Sequence, residues 1–464
     1  MAAAHARKPS AAAISPLMRR AASYVAAAPA RPLPAYVIDR AKLHIVDTFA
    51  AMISGSRLLP GRHARGYVES LGGKPESGVV GTRLVTSAVN AALANAMAAH
   101  ADETDDTHPP SVTHPGMTII PAALAIGERQ RASGQALLRA VALGYDICPR
   151  ISLALGARQF MSAGHYTVAF GAVFGAGATA AALLKLDAHK VRYMFSYAAQ
   201  QAAGLSAAHR DVEHVQKSFA AAGMGTHNGV SAALMAGHGF TGVEDIFAGE
   251  ENFFFTFATP NGNPDELIRG LGKDYELMRT GIKPFAAGGP VQAPLHMLLE
   301  AIEQDGLKPA QVDKLVVRMP DRELEVVSNR DMPDICVQHL LAVMLLDGKI
   351  TFESAHDSAR MRDPKVLAMR KRIEAVGDPS LTDPLRRWRC AMRIHLKGGR
   401  TLVHETMAAK GGLDNPLSRA EGEKKALDLM APVLGKKTAG ALIAAIWNLD
   451  KMKDIRALRG LYAR

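Results

Sequence analysis

The chain has 464 residues, 48% of them hydrophobic but only 5% aromatic, and a formal charge of +11. That length supports two or three domains, and the Ala- and Gly-rich composition favours packed helices over a sandwich of sheets, where β-branched and aromatic residues would dominate. The basic residues are spread along the chain with no run interleaved with aromatics, which argues for a solvated surface and against a nucleic-acid partner.

Residues 1–31 are rich in Ala, Arg and Pro, and the first acidic residue is Asp39. They resemble a transit peptide without a cleavage signature, so 1–34 is expected to be a flexible N-terminal segment. From about 35 to 278 apolar residues recur at helical spacing, as in Val37-Ile38-x-x-Ala41-x-x-x-Ile45-Val46-x-x-Phe49. A large helical domain is predicted there. The uncharged run 167–184 carries Gly171-x-x-x-Gly175. It is too rich in Ala, Gly and Thr to enter a membrane and reads as a buried central helix, so no membrane partner is expected.

The pattern changes near 279. Residues 314–319, 389–396 and 401–405 read as strands, the last two around a Gly398-Gly399 turn. Helical segments at 292–304, 335–346 and 363–376 lie between them. Residues 279–407 are therefore predicted to form a smaller α+β unit. Helices return at 418–434 and 439–449, so 408–464 is expected to rejoin the first domain. Cys148, Cys336 and Cys390 are far apart and form no CxxC pair, which fits reduced thiols and a cytoplasmic location.

The densest chemistry lies in His100-Ala-Asp-Glu-Thr-Asp-Asp-Thr-His-Pro-Pro-Ser-Val-Thr-His-Pro-Gly116, between two Ala-rich helices. Polar groups packed this closely beside buried sequence must pair with one another or meet a ligand. Asp105, Asp106, Thr107 and His114 are the best candidates, since a carboxylate beside a histidine makes a proton-transfer pair. Helix capping by Asp or Thr is the competing explanation. The spacing matches no helical or zinc-finger ligand pattern, so no metal is expected.

Three further clusters follow. His165, in Met161-Ser-Ala-Gly-His-Tyr-Thr167, opens the small-residue helix, whose dipole would keep its imidazole neutral. Lys217, in His209-Arg-Asp-Val-Glu-His-Val-Gln-Lys217, is placed to hold a substrate carboxylate. Gly281-Ile-Lys-Pro-Phe-Ala-Ala-Gly-Gly-Pro-Val-Gln292 reads as a tight loop for an anion contact or a hinge. No dinucleotide fingerprint, Walker loop or GxSxG elbow occurs.

In order and spacing these motifs, with Ala41-Lys-Leu-His-Ile-Val-Asp-Thr-Phe-Ala50, Pro121-Ala-Ala-Leu-Ala125 and Leu345-Leu-Asp-Gly-Lys-Ile-Thr351, resemble the MmgE/PrpD family along nearly the whole chain. The resemblance implies a mainly α fold, with a helical domain built from both ends of the chain and an inserted α+β lid. It also implies a homodimer, no cofactor, and a site between the domains. Thr107, His114, His165 and Lys217 fall on the family's site positions, with Glu103, Lys283 and Gln292 as substrate contacts. Glu103 stands where the family has Asp, Thr104 replaces an aromatic, Gln292 replaces a histidine, and Met332 lies near the place of a tyrosine used in decarboxylation. These departures weigh against decarboxylation of cis-aconitate. The function implied is that of a hydro-lyase acting on a small hydroxy di- or tricarboxylate of the 2-methylcitrate type. Its rivals are an epimerase, isomerase or decarboxylase of such acids and, from another class, a non-catalytic binding protein retaining the fold.

Overall fold

Every residue of the helix Thr167–Leu183 is buried, and the rest of the helical unit is assembled around it. Its small residues make this possible. A Cβ at Gly175 would lie 2.5 Å from Cys148 Cβ on the helix Gly134–Ala154, and one at Gly229 would lie 2.3 Å from the Val173 carbonyl. Only hydrogen at these positions lets the helices Gly134–Ala154 and Met224–Gly237 approach so closely. The structure is a computed structural model that describes residues 14–383 and 385–464.

The chain is mainly α, with a small α+β part. One apolar core runs from Met18 through Ala286 and resumes at Ala426 through Tyr462. A second is built from residues between Ala287 and Ala409. The helix Arg419–Leu434, near the C-terminus, opens with a Ser418/Glu421 capping box and packs on Ala35–Gly55 so tightly that a Cβ at Gly422 would lie 2.5 Å from Leu43 Cδ1.

The smaller unit carries a four-stranded sheet in the spatial order Ile373–Gly377, Val312–Met319, Cys390–Leu396, Thr401–Thr406. The first pair is parallel, with Leu315 opposite Ile373, and the other two are antiparallel. The helices Gln292–Gln304 and Val337–Asp347 contribute to the same core.

Two sequence expectations differ from this fold. Residues 363–376 read as one helical segment, but the helix stops at Pro364–Arg370, and Ile373–Gly377 forms an edge strand beside Val312–Met319. Tertiary pairing outweighs local propensity there. The flexible segment expected over 1–34 is ordered from Ile14 onward, and residues 1–13 lie outside the described residues. Ser15 caps a helix over Pro16–Ala27 by accepting from the Met18 amide, and Met18, Ala21, Ala22 and Val25 are buried. That i, i+3, i+4, i+7 stripe was hidden by the segment's Ala and Arg content.

All three cysteines are free and buried. Among the described residues no helix is long and apolar enough to cross a membrane. Basic residues of the last third are drawn into ion pairs, including Arg386 with Asp414, Arg387 with Glu323 and Arg389 with Asp383.

Candidate active site

The helix Ala88–Ala99 ends at His100, and from there the chain runs through the interior until Gly116 starts the next helix. All four carboxylates of this run are buried, and each has its own partners. An uncompensated buried carboxylate would be prohibitive, so the pairing decides which of them are structural.

Asp106 is structural. One carboxylate oxygen accepts from the Gly116 amide at 2.9 Å, while the other meets His44 Nδ1 at 2.7 Å and the Tyr145 hydroxyl at 2.6 Å. It satisfies a free N–H at the start of the helix Gly116–Arg129, the capping role that competed with catalysis in the sequence.

Asp105 stands at a junction. Its oxygens lie 3.1 Å from His100 Nδ1, 3.4 Å from His114 Nδ1 and 3.4 Å from Lys283 Nζ. Burial alone would raise its pKa, but Lys283 and the two histidines hold it below the usual carboxylate range. Lys283 also donates to the Glu103 carbonyl at 2.6 Å. Glu103 points the other way. Its Oε1 takes the Lys217 ammonium and lies 2.9 Å from His214 Nε2. Opposing its burial, the Lys217 ammonium and the hydrogen bond with His214 hold the carboxyl well below its ordinary value.

His100 lies between the two groups, its ring centroid 5.6 Å from that of His114 and 5.1 Å from that of His214. Its Nε2 is buried with no hydrogen-bond partner. His114, the more open member with 21% of its side chain exposed, donates Nδ1–H to the Asp106 carbonyl at 2.6 Å. A carbonyl can only accept, so Nε2 carries the lone pair. Burial lowers His114 to about 4, which leaves it neutral at pH 7.

The backbone is strained on both sides of the cluster. His214 adopts φ 61° just before the short helix Val215–Ser218 that carries Lys217, and a single π-type turn over Phe219–Gly223 follows. Val112 sits at φ 53°, a costly place for a β-branched residue, where its carbonyl accepts from Thr167 Oγ1 at 3.0 Å. Strain of this kind persists only where the surroundings over-determine it, and it gathers at functional sites.

Of the residues singled out in the sequence, Asp105, His114, Glu103, Lys217 and Lys283 converge. Thr107 makes a two-way backbone bridge with Gly281 and lines a separate crevice with Pro109, Arg387, Trp388 and Gly412 at the seam of the two units, a crevice that none of those five residues lines. His165 and Gln292 are placed differently. The His165 ring stacks on Phe160 at 4.3 Å and meets Phe170 and Phe257 edge-on, because an aromatic box surrounds the turn before its helix. Gln292 is fully buried. It accepts from the Phe285 amide and donates to the carbonyls of Phe285, Ala287 and Gly288, so it staples the Gly-rich loop and turns no group toward the histidines.

Five participants were not singled out as site residues: His100, His214, Lys425, His356 and Asp102. His100, Asp102 and His214 lay inside the motifs quoted above. Lys425 comes from the helix Arg419–Leu434 to reach Asp47 at 2.7 Å and the Thr104 carbonyl at 2.9 Å. His356, from the smaller unit, lies 3.4 Å from Asp102. His100, Glu103 and His214 bring one potential metal-ligand atom each within 4.8 Å of one another. The cation on the Glu103 oxygen is the Lys217 ammonium.

Family models described as the MmgE/PrpD N-terminal and C-terminal domains match residues 19–264 and 285–451. A relative named cis-aconitate decarboxylase-like protein oryM, from Aspergillus oryzae, is 25% identical over 92% of this chain and 93% of its own length. A 2-methylcitrate dehydratase from Cupriavidus necator is 28% identical over 43% of each chain.

Proposed function

Because this chain belongs to the MmgE/PrpD family, we propose that it is a hydro-lyase that removes water from a small hydroxy di- or tricarboxylate by proton transfer beside a carboxylate. The observation that carries this reading is His114. It is neutral, its Nδ1 is fixed on a backbone carbonyl and its Nε2 is free, beside a cluster of lysines and histidines. In the proposed step His114 Nε2 takes the proton from the carbon next to the carboxylate. The C–H electron pair becomes the new double bond, and the hydroxyl leaves with a proton from the Lys217 and His214 side. Asp105 holds His100 and His114, and the lysines offset the negative charge that builds on the substrate. His165 is assigned no step, since its ring lies among phenylalanines.

Loss of water is tested with a panel of hydroxy acids by the ultraviolet absorbance of the unsaturated product. Turnover by the wild type and a loss of about 10²–10⁴-fold in His114→Gln, with the circular dichroism unchanged, is the expected result. Full activity in His114→Gln would end the reading. Similarity to oryM along almost the full length favours decarboxylation as the second reading, and release of carbon dioxide in place of water is its mark.

A further inference from the structure

The charge balance of the cluster, taken with the acid/base reading above on which this inference rests, says which acids fit. Each lysine that reaches the cluster already faces an oxygen of the chain. Lys217 sits on Glu103, Lys283 lies 3.4 Å from Asp105 and on the Glu103 carbonyl, and Lys425 is on Asp47 and the Thr104 carbonyl. From the smaller unit, His356 faces Asp102 at 3.4 Å. His114 and His209, lowered by burial to about 4, add no positive charge at pH 7. A substrate carboxylate arriving at Lys217 and His214 meets the Glu103 carboxylate already there, and two carboxylates in one buried seat repel each other strongly. His100 Nε2 is one of the buried polar atoms of the cluster that has no partner, and with Nδ1 turned to the Asp105 carboxylate it is open to a hydroxyl, which can donate or accept.

We infer that Glu103 is a specificity-determining residue whose own carboxylate fills the seat formed by Lys217 and His214, so that the site takes hydroxy acids with two carboxylates and discriminates against those with three. Lys217 and His214 are then left to face an uncharged part of the substrate, consistent with the donor side proposed for the departing hydroxyl.

Titration calorimetry of the full chain with malate and with citrate tests this. In the wild type malate is expected to bind at least tenfold more tightly than citrate. Glu103→Gln keeps the shape and removes the charge, so it should shift the ratio toward citrate by at least tenfold. Glu103→Asp keeps the charge and should stay closer to the wild-type ratio than to that of Glu103→Gln. Citrate binding as tightly as malate in the wild type, or a ratio that moves less than twofold in Glu103→Gln, overturns the inference alone. Failure of the wild type to bind either acid overturns it together with the acid/base reading. The wild-type ratio decides the matter even where a variant fails to fold.

Discussion

His114 gives its Nδ1 proton to the carbonyl of Asp106, while the Asp106 carboxylate is spent on His44, Tyr145 and the Gly116 amide. One residue thereby fixes the tautomer of the candidate base with its backbone and anchors the next helix with its side chain. Because His114 is lowered to about 4, its basic form persists well below the ordinary histidine range. The acid limb of kcat/KM is expected near pH 4 and not near 6.5, and a pH–rate profile checks it. A limb at 6.5 would assign the base to another group.

Folding stability is expected to follow a dome. His44, His114 and His209 are each lowered to about 4, chiefly by burial. Between pH 6.5 and 4 the unfolded chain binds protons that the folded chain does not, so their contribution is full above 6.5 and falls as pH drops toward 4. His356 has the opposite sign. Burial alone would lower it, but Asp102 and Asp334 raise it to about 9. Its contribution is full below 6.5 and is lost as pH rises through about 9, a change of about 3 kcal/mol. Urea midpoints across this range should show both limbs, and His356→Gln should flatten only the alkaline one. An unchanged alkaline limb in that variant refutes the assignment.

Lys425→Met should destabilise the protein by about 3–5 kcal/mol, since it leaves Asp47 buried without its counter-ion. Asp47→Asn in the same background is expected to restore part of the loss. Denaturation of the two single variants and the double variant measures the coupling, and simple additivity would show that the pair contributes nothing.

Gly229→Ala should cost about 1–3 kcal/mol, because the added methyl would lie 2.3 Å from the Val173 carbonyl and force the two central helices apart. Gly440→Ala, on the helix Lys436–Trp447 with nothing within 4 Å of the added carbon, is the control and should hold or gain stability. Equal thermal shifts in the two variants would contradict the close approach.

The polar run 100–116 was legible because its partners are local: Asp105, His100 and His114 lie within fifteen residues of one another. Lys217 was legible because it stands in a polar stretch between apolar helices. Lys425 and His356 were not. Each is one polar residue among others of its segment, Lys425 beside Glu423 and Lys424 and His356 beside Asp357, and each reaches the site only through the packing of the whole chain. His165 shows the converse. Its position at a helix start and its place in the family pattern marked it, but its surroundings are set by Phe160 and Phe257, residues without a polar signal of their own. The strand Ile373–Gly377 was missed because its five residues gain a strand's hydrogen bonds only beside Val312–Met319.

The reach of Lys425 into the polar run has a consequence for biosynthesis. Asp47 and Thr104 leave the ribosome more than three hundred residues before the ammonium that neutralises one and bonds the carbonyl of the other. A nascent chain with everything except its last helices holds an unbalanced charge in its interior, so the larger unit cannot reach its final packing until translation is nearly complete. Any truncation that removes residue 425 is expected to leave a species dependent on chaperones.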